Sequence, residues 1–410
     1  MTSPVLNDRR VLLGVSGGIA AYKVIELVRM LRTLGARVDV TMTGAAEQFV
    51  TATTFETLTR QPVRRDVFEQ WTETDAGHVS LAENADILVI APATANTIAK
   101  IAHGFADDML TVSVLACPGP VLIAPAMDHH MYLNQATQAN LETLRSRGIE
   151  ILGPEEGELA SGILGHGRLS PPEQILGKIR SILGRTGPLA GRKIVVSSGA
   201  TREPIDPIRF ITNRSSGRMG HAIAQALIDA GARTTLVSAP TDLDPPIDSH
   251  VVNVESAGDM HEAVASHIRD ADALIMAAAV GDYAPTGVSQ EKVKKTEQDL
   301  SIELTRTVDI LATTQRPGLI KIGFAAETAN LVEYARQKLT SKGVDLLVAN
   351  DARLAMASDE NQATFFRPGR EPEELPLMSK ADLARRIVEE LSQILRAEHP
   401  EPEFPDATTT

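Results

Sequence analysis

Residues 10–34, RVLLGVSGGIAAYKVIELVRMLRTL, pass from an unbroken apolar run through a glycine loop into a stretch whose apolar residues recur at intervals of three and four. The run is short and rich in Val and Leu, as a strand buried on both faces requires. Val24, Leu27, Val28, Leu31 and Leu34 then fall on one side of a helix, and Gly35 ends it. The same unit recurs downstream. RVDVTMT (37–43), ADILVIAPAT (85–94) and PVLIAPAM (120–127) read as further buried strands, TQANLETLRSRG (137–148) as a helix closed by glycine, and IEIL as a short strand after it. Such alternation predicts a parallel sheet covered by helices.

GRTGPLAGR (184–192) sets three glycines and a proline between an apolar helix (175–183) and the run KIVVSS (193–198), which places a domain boundary there. A second series follows. Strands are expected at 193–198, 233–238, 271–280, 319–325, 345–350 and in QATFFR (362–367), with helices at 217–230, 258–268, 328–342 and 379–396. The expected fold is α/β, two Rossmann-like, doubly wound parallel-sheet domains in tandem. They span 1–187 and 188–397, and the acidic, proline-rich tail 398–410 is expected to be disordered.

The 410 residues are 43% hydrophobic and 23% charged, which describes a globular chain able to build more than one core. Forty Lys and Arg against 53 Asp and Glu leave a net charge of −13, so the whole molecule exerts no pull on nucleic acid or anionic lipid. The opening MTSPVLNDRR lacks a signal-peptide pattern, and no run reaches the roughly 18 uncharged apolar residues that would span a bilayer. Neither a nucleic-acid nor a membrane partner is expected, and a cytoplasmic location is. A single cysteine, Cys117, permits no internal disulfide and agrees with a reducing compartment.

The loop GVSGGIAAYK, with Gly14, Gly17 and Gly18, exposes backbone N–H groups where a strand meets a helix, which suits a phosphate or a tight structural turn equally. It is not G-x-G-x-x-G, and no phosphate-binding G-x-x-x-x-G-K-[ST] occurs, so nicotinamide dinucleotides and P-loop chemistry are disfavoured. APATANT (91–97) and APAMDHHMY (124–132) each follow a strand, where open α/β sheets bind ligands, although Thr94, Asn96 and Asp128 are also good caps. His78 stands alone before a probable helix start, and His129 and His130 are adjacent, without the spacing of a helical metal pair.

Taken together, SGGIAAYK, the histidine of GHVSL, PATANT, PAMDHHMY and GELASGILGHGRL resemble the homo-oligomeric flavin-containing cysteine decarboxylases over residues 8–183. SGATREPIDPIRFITNRSSGRMG (198–220), AAAVGDY (277–283), KVKK (292–295) and GFAAET (323–328) resemble phosphopantothenate-cysteine ligase. In this order the two halves resemble the bacterial bifunctional decarboxylase/ligase family of coenzyme A biosynthesis. For the first half the resemblance implies FMN held by Ser16, Gly17, Gly18, Thr43, Thr94 and Asn96, with His78 and Ser161 catalytic and Asp128, Met131 and Arg168 on the substrate. Flavin oxidises the cysteinyl CH2–SH to a thioaldehyde, CO2 leaves, and the hydride returns. Assembly is implied as well: trimeric flavin domains and dimeric ligase domains.

For the second half it implies CTP. The phosphopantothenate carboxylate attacks the α-phosphate to give an acyl-cytidylate and pyrophosphate, and the amine of cysteine then displaces CMP. Ala278, Asp282, Lys292, Val308, Asp309, Ile310, Leu311, Phe324, Lys338 and Lys342 match the nucleotide site, with Asp282 on Mg²⁺. Asn213 and Arg209 match residues that bind phosphopantothenate, with Asn213 and Lys292 catalytic. Lys292, Lys294 and Lys295 alone would read as a solvated face.

Two positions depart from the family pattern. Asp128 replaces an asparagine, and Ser161 replaces the flap cysteine that donates a proton. An active enzyme whose donor has moved to His166, Asp128 or a water is expected. The competing readings are a ligase with an impaired decarboxylase domain and a regulatory FMN-binding subunit.

Overall fold

A computed structural model of the protein describes residues 3–67, 77–295, 299–327, 331–351 and 360–398. The chain divides into two compact units, Met1–Leu183 and Gly184–Thr410. Apart from Glu398, which ends a helix, the tail expected to be disordered lies outside the described residues.

The first unit is built on five parallel strands: β1 (Arg10–Val15), β2 (Arg37–Met42), β3 (Ile87–Ala93), β4 (Val121–Pro125) and β5 (Glu150–Ile151). Their order is β2-β1-β3-β4-β5, so the chain reverses its direction of travel across the sheet between β1 and β3. The strands β3 and β4 are buried throughout, as their continuous apolar runs require. Val24, Leu27, Val28 and Leu31 of the helix Val24–Thr33 bury against one face of the sheet. Ile98, Ile101, Leu110, Leu141 and Leu144 cover the other. The glycine loop leads first into a five-residue 3-10 helix, Ile19–Lys23, and only then into the α-helix.

An antiparallel hairpin, β6 (Glu155–Glu158) with β7 (Leu164–Arg168), was not expected from the sequence. Its β7 segment, LGHGR, alternates glycine with other residues, and no hydrophobic period marks it as a strand. Gly167 explains why the hairpin can dock. Its φ is +147° and a Cβ there would lie 2.1 Å from the Met127 carbonyl oxygen, so only glycine lets Met127 N–H reach the Gly167 carbonyl at 2.9 Å.

The second unit contains β8 (Lys193–Ser198), β9 (Arg202–Pro204), β10 (Phe210–Thr212), β11 (Arg233–Ser238), β12 (His250–Asn253), β13 (Ala273–Met276), β14 (Tyr283–Pro285), β15 (Leu304–Arg306), β16 (Ile320–Glu327) and β17 (Leu346–Asp351). Six of these form a parallel sheet in the order β12-β11-β8-β13-β16-β17, with the switch in direction between β8 and β13. Two antiparallel strands, Ala363–Phe366 and Glu373–Glu374, extend it beyond β17, an edge the expectation of a wholly parallel sheet did not include. The strand expected over 271–280 stops at Met276, and the residues that follow turn away to form a ligand-facing loop. The two hairpins β9-β10 and β14-β15 and the edge strand β12 are three to four residues per strand, too short to carry a period. No helix among the described residues is long and apolar enough to cross a membrane.

Packing under the glycine loop is tight. A Cβ on Gly14 would lie 2.9 Å from Leu110 Cγ and 3.0 Å from its Cδ1. Gly14→Ala is therefore expected to cost about 1–3 kcal/mol by overpacking. Leu110→Val in the same chain should recover part of that loss, measured as urea midpoints of the two variants.

Candidate active sites

Three strand ends and the hairpin converge in the first unit on a cleft of about 720 Å³, lined by Gly17, Gly18, Thr94, Asp128, Ser161 and Arg168 among others. Ser16 is not in the lining. It is fully buried, its hydroxyl donates to the Pro92 carbonyl at 2.7 Å, and it accepts the Thr94 N–H at 3.0 Å. Its role is to tie the glycine loop to the PAT loop. Gly17 is pressed against the loop after β2, where a Cβ would meet that of Ala45 at 2.4 Å. Gly18 is extended, with φ −151°, and faces open space up to the Thr94 methyl. The N–H groups of Gly17 and Gly18 make no hydrogen bond among the described residues, so this loop is a cradle able to receive an acceptor.

Lys23 also lines the cleft, a residue the sequence reading quoted in SGGIAAYK but gave no role. Partial burial, and then the nearby Arg168 guanidinium, lower the pKa of its ammonium. Two cations that repel each other across a cleft favour an anion between them. Thr43 is not in the lining; its hydroxyl accepts Ala46 N–H at 3.3 Å beside the Gly17 contact. Asn96 is exposed in the helix Ala95–His103, outside the lining. Met131 lines the cleft, half exposed. His78 stands in the helix Gly77–Glu83, and its side chain lies outside the described residues.

The two departures from the family pattern touch each other. Ser161 Oγ donates to Asp128 Oδ2 at 2.7 Å, and Asp128 Oδ1 accepts the His130 N–H at 3.0 Å. The Ser161 hydroxyl first, and then the His130 amide, hold the Asp128 carboxyl below the usual carboxylate range. Asp128 thus accepts from both groups in this arrangement. His166 lies on the exposed face of the hairpin with its ring 6.3 Å from those of His129 and Tyr132, and it is absent from the cleft lining. His129 packs under the hairpin, where a Cβ on Gly165 would meet its ring at 2.5 Å. Cys117 is half-buried and its Sγ donates to the Gly119 carbonyl at 3.8 Å; burial raises its thiol pKa.

In the second unit a cleft of about 500 Å³ opens beside the carboxyl end of β13, next to the switch point. Ala278, Asp282, Val308, Asp309, Ile310, Leu311, Phe324, Lys338 and Lys342 all line it, residues drawn from four separate stretches of sequence. Ser197 Oγ accepts the Ala278 N–H at 3.1 Å and Thr201 Oγ1 accepts the Gly281 N–H at 2.8 Å, which fixes the loop after β13. Burial raises the Asp309 pKa, but its 2.8 Å pair with Lys342 and its cap on Ala312 N–H bring the net shift downward. Lys338 Nζ donates to the Phe324 carbonyl at 3.2 Å.

Lys292 is exposed and outside this lining. Asn213 stands at the edge, donating to the Val280 carbonyl at 3.0 Å. Arg209 has its guanidinium engaged with Asp206 and with the Val293 carbonyl. Asp206 was not singled out from the sequence, because an aspartate in IDPIR reads as a turn former. Lys321, also unremarked, places Nζ on the carbonyls of Leu311, Thr314 and Lys342, and fastens the floor of the cleft. No group of three or more His, Cys, Asp and Glu placed to hold a metal occurs among the described residues.

Residues 2–184 match the family described as "Flavoprotein", and residues 189–395 match "DNA/pantothenate metabolism flavoprotein C-terminal domain". The coenzyme A biosynthesis bifunctional protein CoaBC of Bacillus subtilis (strain 168) is 43% identical over 95% of this chain and 98% of its own. The chain belongs to the coenzyme A biosynthesis bifunctional protein family. The member from Escherichia coli (strain K12) is 41% identical, over 94% of this chain and 97% of its own. Among solved structures, the C-terminal domain of such a bifunctional protein is 43% identical, matched over all of that domain and 52% of this chain with a TM-score of 0.46. The FMN-dependent cysteine decarboxylase SpaF is 38% identical over 91% of its chain and 39% of this one, with a TM-score of 0.36. As a member of this bifunctional family the chain is an enzyme of coenzyme A biosynthesis with decarboxylase and ligase steps, the former in a flavoprotein domain.

The Asp128–Ser161 contact has a direct titration readout. Ser161→Ala removes the largest of the interactions that stabilise the carboxylate. The Asp128 pKa is then expected to rise, followed by carbon-13 NMR of the aspartate carboxyls.

Proposed function

We propose that the second unit joins cysteine to phosphopantothenate with CTP, through an acyl-cytidylate, and that the first unit decarboxylates the product with FMN. The observation that carries the ligase half is the convergence of Ala278, Asp282, Asp309, Phe324, Lys338 and Lys342 on one cleft at a topological switch point. Lys338 and Lys342 supply positive charge for a triphosphate, and a phosphate oxygen can take over the role Asp309 plays toward Lys342. Mg²⁺ fits Asp282 as a single carboxylate, because this ion commonly shares one or two carboxylates with substrate phosphates. Asn213, anchored by Val280, presents a neutral amide beside the acyl group; Lys292 stabilises charge developing on the transferred phosphate.

In the first unit the unpartnered amides of Gly17 and Gly18 fit the single phosphate of FMN. FMN bound there supplies reversible two-electron oxidation of the cysteinyl carbon–sulfur unit. Lys23 and Arg168 hold substrate anions, His78 moves the proton of the oxidation, and Ser161 shapes the flap through Asp128 while a bound water delivers the later proton. Exposed Ile19, Tyr22 and Leu164 around this cleft, at 61%, 58% and 74%, support burial against further copies of the chain in flavin-domain trimers. Exposed Phe210 and Tyr283 give the same support to ligase-domain dimers.

The test is to incubate the protein with phosphopantothenate, cysteine, CTP and Mg²⁺ and follow pyrophosphate and CO2 separately. Both are expected; pyrophosphate without CO2 would identify an impaired decarboxylase, and neither would leave a flavin-binding subunit. Lys292→Gln should slow pyrophosphate release by about 10²–10³-fold, whereas Asn213→Asp should spare it and stall CMP release. Ser161→Ala should still form saturated phosphopantetheine within about tenfold of the normal rate, a barrier change near 1.4 kcal/mol. Mass spectrometry checks this: build-up of a product two mass units lighter would make Ser161 the donor.

A further inference from the structure

The stretch 289–295, which carries Lys292, has no regular secondary structure. It is nevertheless fixed to the loop 205–209 at two points. Ser289 N–H donates to the Ile205 carbonyl at 3.0 Å, and Val293 is gripped through both of its backbone polar groups. Its N–H donates to Asp206 Oδ2 at 3.1 Å, and its carbonyl accepts from Arg209 Nη2 at 2.8 Å.

Asp206 has a fully shielded side chain, and the Arg209 guanidinium, with further help from backbone amides, holds its carboxyl far below the usual range. A buried carboxylate needs partners, and the local turn supplies enough of them. Oδ1 accepts the N–H groups of Ile208 and Arg209, at 2.9 and 2.8 Å, which closes the turn by itself. The bond to Val293, 87 positions along the chain, is not needed for that turn. What it does is immobilise the residue next to Lys292.

We propose that Asp206 is a positioning residue for Lys292: with Arg209 it forms a dock that fixes the backbone of the lysine-bearing stretch. This rests on the ligase reading above. The dock lowers the conformational cost of placing a flexible ammonium at the transferred phosphate. Because Asp206 stays ionised well below its usual titration range, the dock persists across the pH range in which the enzyme works.

Asp206→Asn is the discriminating variant. The amide oxygen can still accept from Ile208 and Arg209 N–H, but the NH2 group faces three donors, Arg209 Nε and Nη2 and the Val293 N–H, so the turn survives and the dock is lost. Val293→Pro removes the other partner without touching the buried carboxylate. In the full-length chain, either change should raise amide hydrogen exchange in 289–295 by about tenfold or more while the thermal midpoint stays close to normal. The turnover number for pyrophosphate release should fall about tenfold, with the KM for CTP moving less than about twofold. In a Lys292→Gln background, Asp206→Asn should add almost nothing, which a general structural defect would not imitate. Unchanged exchange in both variants, or losses that multiply with Lys292→Gln, would overturn the proposal. If the unaltered protein released no pyrophosphate from CTP, the ligase reading would fail, while exchange would still decide whether the dock exists.

Discussion

At the carboxyl end of a parallel sheet the ladder hydrogen bonds run out, and the loops that leave adjacent strands must be held together by something else. In both units that task falls to a buried serine at the end of the first strand, placed at the switch point. Ser16 follows β1 directly and grips the end of β3 through Pro92 and the residue beyond it, Thr94. Ser197, near the end of β8, accepts the N–H of Ala278 after β13. A hydroxyl suits both positions because it is small enough to be buried and can donate and accept at once. Each cleft opens beside its serine, so the shape of both sites depends on a side chain that need not touch ligand.

Charge is handled in a common way too. The chain carries a net charge of −13, yet both clefts are lined by cations. In the ligase cleft one is paired before any ligand arrives, Lys342 with Asp309, and nearby Arg209 is paired with Asp206. These internal counter-ions keep the cationic groups in place without making the surface sticky toward polyanions. The flavoprotein cleft differs, since Lys23 and Arg168 face each other there and bias the site toward an anionic occupant.

Much of this was legible in the residues. The buried runs at β1, β3, β4, β8 and β16 announced their strands, because a run of Val, Ile and Leu too short for a helix has few other uses. Of the residues that the resemblance implied for a nucleotide, all but Lys292 line one cleft. The short strands β9, β10, β12, β14 and β15 escaped, as did LGHGR, because their conformation is set by tertiary docking and glycine geometry and not by pattern. The site residues that were missed, Lys23, Asp206 and Lys321, share one property. Each acts through a partner remote in sequence or through burial, and neither leaves a local signature. Ser16 shows the converse: its motif is local, while the direction of its hydroxyl is settled by a segment 76 residues away.

The lone thiol has a practical side. Cys117 is half-buried, with a raised pKa and its sulfur turned to the Gly119 carbonyl, so little thiolate is available for alkylation near neutral pH. The native thiol is thus expected to alkylate slowly with maleimides. A cysteine introduced on the hairpin at exposed Glu156 could take a fluorophore site-selectively, and its emission would report flap movement in the otherwise unaltered bifunctional protein.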